Sequence, residues 1–114
     1  MEKKIVEKSD FLIYENNDWN IKINVKFDDE TVWLSQIQMA NLFWKWKTTI
    51  SEHIINIYKE EELIKELTLK KSGISGFQQK AINFYNLEMI ISVWYRVKSV
   101  QWTQFRKWTT QILI

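Results

Sequence analysis

The chain has 114 residues and a mass of 13.9 kDa, enough for one small domain and too few for two. Hydrophobic residues make up 46% and charged residues 26%, a globular balance, and the absence of cysteine excludes a disulfide framework, thiolate metal sites and cysteine nucleophiles. The net charge of +2 hides an asymmetry: 8 Lys/Arg stand against 12 Asp/Glu in residues 1–64, and 8 against 2 in residues 65–114, a basic second half that suits a polyanionic partner or a solvated surface.

Phe11–Tyr14 reads as a short strand, and the Asn/Asp-rich run from Glu15 to Asn20 as a turn. Ile21, Ile23, Val25 and Phe27 alternate with Lys22, Asn24 and Lys26, the period of a half-buried strand that closes a hairpin with the first. Asp28-Asp29-Glu30 turns the chain into a third strand, Thr31–Leu34. Ser35 is placed to cap a short helix over Gln36–Phe43, whose apolar residues Ile37, Met39, Ala40 and Phe43 recur at helical spacing. After a break at Trp44–Trp46, Thr48 or Thr49 would cap a second helix with Ile50, Ile54, Ile57 and Tyr58 on its apolar face, fading at Glu60–Glu62. Glu66–Ser72 and Phe77–Tyr85 flank the only glycines, Gly73 and Gly76, and read as a second hairpin. Asn86 would cap a helix over Leu87–Val97; a polar loop, Lys98–Trp102, leads to a last helix from Thr103 to the end of the chain. Phe84, Tyr85, Tyr95, Phe105 and Trp108 read as core aromatics. The expected fold is a single α+β domain over residues 1–114, winged helix-turn-helix-like, with an N-terminal β-hairpin and C-terminal helices.

Chemistry for catalysis is thin. His53 is the only histidine, and the carboxylate clusters Asp28–Glu30 and Glu60–Glu62 lack metal-ligand spacing, so no catalytic residue, metal or cofactor is expected and the chain is read as a non-enzyme. The longest apolar stretch, around Met89–Tyr95, is far short of the ~20 residues of a membrane span, and the charged Met1–Lys8 opens no secretory signal. A cytoplasmic, membrane-free protein is the expectation.

Gln36–Ile55 has the spacing of a helix-turn-helix. A small residue, Ala40, stands where the helices cross, and Ile50 stands where a branched residue anchors the second helix; Trp44 occupies the turn position usually held by glycine. The exposed face at the start of the second helix, Lys47, Thr48, Thr49, Ser51 and Glu52, would enter the major groove of double-stranded DNA. Lys45 and Lys47 could neutralise phosphates, and the hydroxyls could bond phosphates or base edges. Lys70, Lys71 and Lys80 would lie on or near the wing, and Arg96 and Lys98 complete the basic set. The competing expectation is a protein-interaction module, with the helix pair as its packing face.

The residues Asp29–Gln36, Gln38–Phe43, Ile50–Ile54, Asn56-Ile57, Tyr85–Val93, Tyr95–Ser99 and Thr103–Trp108 together resemble the virulence-associated RhuM family, from about Phe11 to the last residue. The resemblance implies a bacterial protein, often near mobile elements or pathogenicity islands, whose helix-turn-helix-like character argues for DNA binding. Related regions joined to Fic/Doc-type domains imply, alternatively, a toxin-antitoxin setting with an effector as protein partner, and a homodimer is a further possibility. Full-length members of the family continue beyond the point that matches Ile114, so the resemblance implies an N-terminal module.

Seven tryptophans stand against two glycines and no proline. The resemblance places glycine where this chain has Trp19, Trp44, Trp94 and Trp102, with Trp46 a further candidate, whereas Trp33 and Trp108 match family tryptophans and are expected in the core. A UGA codon read as tryptophan instead of glycine accounts for all of these at once. UGG codons at Trp19, Trp44, Trp94 and Trp102 would exclude it. Glycine in these places is expected to fold better than the tryptophans do.

Overall fold

A computed structural model of the chain describes residues 10–72 and 81–113. Residues 1–9, 73–80 and 114 lie outside the described residues, and with them Met1–Lys8, the glycines expected to turn the second hairpin, Phe77–Gln79 and Lys80. The architecture is α+β. Strands β1 (Asp10–Asn16), β2 (Ile21–Asp28) and β3 (Thr31–Leu34) precede helices α1 (Gln36–Phe43), α2 (Lys47–Lys59) and the single turn α3 (Lys65–Thr68). Strands β4 (Leu69–Ser72) and β5 (Ile82–Asn86) follow, then α4 (Leu87–Val97) and α5 (Gln101–Ile112). The sheet runs β1-β2-β3-β5-β4, antiparallel throughout.

Local chemistry explains most of the boundaries. Between β1 and β2, the Asn16 side chain accepts the Asp18 N–H at 3.0 Å and starts a 3-10 turn that ends on Asn20, at φ 54°. Asp29 and Glu30, at φ 51° and 61°, join β2 to β3 as a two-residue hairpin turn of the kind that needs positive φ at both central positions. Ser35 caps α1 with a reciprocal pair: the Gln38 N–H donates to Ser35 Oγ at 3.2 Å, and the Ser35 N–H donates to Gln38 Oε1 at 2.9 Å. Gln38 Nε2 also donates to the Asn24 carbonyl at 2.6 Å, which ties the helix start to β2. Ser35→Ala is expected to cost about 1 kcal/mol, read as a lower urea midpoint at unchanged slope. Asn86 caps α4 through the Met89 N–H at 3.2 Å.

The core lies between one face of the sheet and the helices. Tyr14, Ile23, Val25, Val32 and Leu34 from the strands meet Met39, Phe43, Ile50, Ile57, Ile90, Val93 and Phe105 from the helices, all buried. Tyr14 meets Phe105 edge-on at 5.1 Å between ring centroids, which fixes α5 over β1.

The structure corrects several expectations. Glu66–Thr68 is helical, not strand, because Thr68 Oγ1 bonds back to the Ile64 carbonyl at 2.9 Å and meets the Tyr58 hydroxyl at 2.8 Å, holding the turn closed. The last helix starts at Gln101, not Thr103, because Ser99 Oγ accepts the Gln101 N–H at 3.2 Å. The second helix starts at Lys47, with Trp46 in the cap position and no side-chain cap, so neither Thr48 nor Thr49 serves as one. Ile37 and Tyr95 are exposed, because α1 turns Met39, Leu42 and Phe43 inward and α4 turns Met89, Ile90 and Val93 inward.

Two residues expected in the core, Trp33 and Phe84, are buried on the opposite face of the sheet. Lys26 pairs with Trp33 across β2 and β3 and is itself only 1% exposed, with its ammonium over the rings of Phe11 and Phe84. The alternation of β2 therefore holds for Lys22 and Asn24 and fails at Lys26, where the far face is also covered. Trp33 donates its indole N–H to the Asp28 carbonyl at 2.9 Å. Among the described residues no helix is long and apolar enough to cross a membrane.

Candidate nucleic-acid interface

α1 ends where Trp44 enters the left-handed region at φ 55°, ψ 48°, and the Lys45 N–H returns to the Ala40 carbonyl at 3.1 Å. That closure reverses the chain within three residues and sends α2 out at an angle from α1. α2 holds its position by burying Ile50, Ile54 and Ile57. Because 3.6 residues make a turn, burying those three leaves Lys47, Thr48, Glu52 and Ile55 on the outside. Lys45, Lys47, Thr48 and Glu52 are exposed, and Thr49 and Ser51 half-exposed. α2 starts without a side-chain cap, so its N-terminal end keeps the partial positive charge of a helix start beside Lys47.

A groove of about 390 Å³ borders this surface, lined by Ser35, Gln36 and Ile37 from the start of α1, Lys47 from α2, and Ile82 and Asn83 from β5. Sequence reasoning missed it. Ile37 was assigned inward by helical spacing, and the position of β5 beside α1 follows from strand pairing between residues far apart in the chain, Leu34 with Tyr85.

The remaining basic residues lie elsewhere. Lys70 on β4 bonds Asp28 at 2.8 Å and Asp29 at 2.5 Å, with its ammonium over the Trp33 ring. Its charge is spent on the β2–β3 turn, and it holds the Asp28 carboxyl below the usual carboxylate range. Lys71 is exposed on the same strand, and Lys80 lies outside the described residues. Arg96 bonds Glu60 at 3.0 Å and Glu62 at 2.9 Å, locking the end of α4 to the end of α2. Lys98 ends α4 at φ 53° with its ammonium over the Tyr95 ring. Glu60 and Glu62, read as a solvated helix end, thus have a partner that spacing alone could not reveal.

His53, on α2, is half-buried and feels the charges of Arg96, Glu52 and Lys45. Burial, then the charges of Arg96 and Lys45, push its pKa below the ordinary histidine value, with Glu52 opposing. Folding therefore disfavours the protonated ring. The stability this group contributes is complete above the unfolded histidine pKa near 6.5 and falls as pH drops below it. His53→Gln should lose less stability than the parent chain between neutral and mildly acidic pH, measured by urea unfolding at each pH. Among the described residues no cluster of three or more His, Cys, Asp or Glu could hold a metal ion.

Residues 62–114 match the model of the Virulence protein RhuM family. No curated protein and no solved structure matches the chain.

Proposed function

We propose that this chain, a member of the Virulence protein RhuM family through its residues 62–114, is a virulence-associated, non-enzymatic module that binds double-stranded DNA through the start of α2. The observation that carries this reading is the α1–turn–α2 unit. A left-handed reversal at Trp44 is followed by a helix whose inner face is anchored by Ile50, Ile54 and Ile57 and whose outer face presents Lys45, Lys47, Thr48 and Glu52. The β4–β5 hairpin beside it supplies the place of a wing, with exposed Lys71 near the phosphates, and the groove at Lys47 separates helix from wing. Lys70 and Arg96 act inside the fold, as the carboxylates on them indicate, and Lys98 stands apart at the end of α4.

Duplex binding is expected to weaken steeply with salt. The Lys45→Ala/Lys47→Ala variant should flatten the slope of log affinity against log salt by about 2, near one unit per phosphate contact, with unchanged circular dichroism. Absence of salt-sensitive binding to any duplex at low salt refutes the proposal. A second reading has one observation behind it: Trp46 and Trp44 are exposed on the turn between the helices, a surface chemistry typical of protein interfaces. Trp46→Ala would then abolish capture of a partner effector, such as a Fic/Doc-type protein, and leave duplex binding intact.

A further inference from the structure

The two edges of the sheet are built differently. β4 carries exposed Lys71, a charge of the kind that discourages pairing with another chain. β1 is seven residues long, Asp10-Phe-Leu-Ile-Tyr-Glu-Asn16, and between Phe11 and Tyr14 it has no charge, proline, glycine or bulge. On its outward face Phe11 and Ile13 are 53% and 55% exposed. Among the described residues nothing covers this apolar edge, and an edge of this kind is a template for another strand.

The register tells which strand fits. The two-residue turn at Asp29-Glu30 makes Asp28 and Thr31 a hydrogen-bonded pair, so Phe27, Val25, Ile23 and Ile21 direct their backbone groups toward β1. Their partners on β1 face β2, which leaves the N–H and C=O of Phe11, Ile13 and Glu15 pointing out of the sheet. These three positions are symmetric about Ile13. We propose that β1 pairs antiparallel with β1 of a second copy about a twofold axis at Ile13, joining the two sheets into one.

In that register Ile13 exchanges both backbone hydrogen bonds with Ile13 of the other copy, and Phe11 does so with Glu15 of the other copy. Side chains of each pair share a face, so the exposed isoleucines cover one another. The charges also fit: each Glu15 lies opposite Lys22 of its own hairpin and beside Phe11 of the other copy, and no like charges face each other at these pairs. The dimer stands independently of DNA binding, since it uses the sheet edge and not α2.

Sedimentation of the full chain and a cysteine cross-link test this. The chain has no cysteine, so Ile13→Cys introduces a single thiol. A hydrogen-bonded antiparallel pair brings Cα atoms to about 5.5 Å, within disulfide reach. The expected results are a dimer for the parent chain, a monomer with unchanged circular dichroism for Ile13→Lys, and a covalent dimer for oxidised Ile13→Cys but not for Ile55→Cys, an equally exposed site on α2. A parent chain that stays monomeric at its highest soluble concentration overturns the proposal, as does a dimer that survives Ile13→Lys, or Ile13→Cys that cross-links no better than Ile55→Cys.

Discussion

Trp102→Gly is expected to destabilise the chain by about 3–5 kcal/mol for the lost side chain, with up to ~1 kcal/mol more for glycine within a helix. Small domains have about 5–15 kcal/mol in total, so the variant should be marginal or unfolded at room temperature. The reason is visible in the packing. Trp102 is 4% exposed, and its ring lies 5.6 Å from Trp94, 5.9 Å from Phe105 and 6.2 Å from Phe43. Trp94 stacks on it and donates its own indole N–H to the Ser99 carbonyl at 3.0 Å, which secures the α4–α5 loop. Glycine at residue 102 would leave a cavity where three helices meet. Equilibrium urea unfolding measures the loss, and a variant within 1 kcal/mol of the parent would contradict the packing.

Trp44→Gly should act in the opposite sense, raising stability by about 1–2 kcal/mol. A residue with a Cβ pays roughly that amount to sit in the left-handed region, and glycine does not. Trp44 stands at φ 55° and is 60% exposed, so far less buried area is given up by removing this indole than at Trp102. The gain should appear as a melting temperature higher by roughly 4–8 °C. A lower melting temperature would mean that the indole's contacts outweigh the backbone cost.

The two variants share a residue type and the same resemblance-based expectation of glycine, yet their signs differ. Of Trp19, Trp44, Trp46, Trp94 and Trp102, only Trp44 has the positive φ that glycine serves. At the first hairpin the left-handed residue is Asn20, one position after Trp19, and Trp46 is extended at φ −66°, ψ 147°. Trp94 lies within α4. Glycine is therefore not uniformly the better residue in these places.

Much of the fold was legible because its signals act over a few residues. The Ser35 and Asn86 caps bond backbone groups three positions on, and the alternation of Ile21, Ile23 and Val25 needs only a pleat with one buried face. The outer face of α2 was legible for the same reason, although its first residue was not: burying Ile50, Ile54 and Ile57 obliges Lys47, Thr48 and Glu52 to face out. Two of the misread boundaries, at Glu66–Thr68 and at Gln101, were decided by single hydroxyl bonds that a pattern of apolar residues does not encode.

By itself, then, the sequence determined the α+β class, the two capped helices, the first hairpin and the face that α2 turns outward. Tertiary structure decided which cations stay available. Lys70 finds Asp28 across 42 positions and Arg96 finds Glu60 across 36, and a basic residue so engaged is part of the fold. It also decided that Lys26, Trp33 and Phe84 are covered on the far face while Phe11 and Ile13 on the β1 edge are exposed. Propensity and capping act between neighbours in the chain, whereas pairing of charges and coverage of a sheet depend on which distant segments the topology brings together.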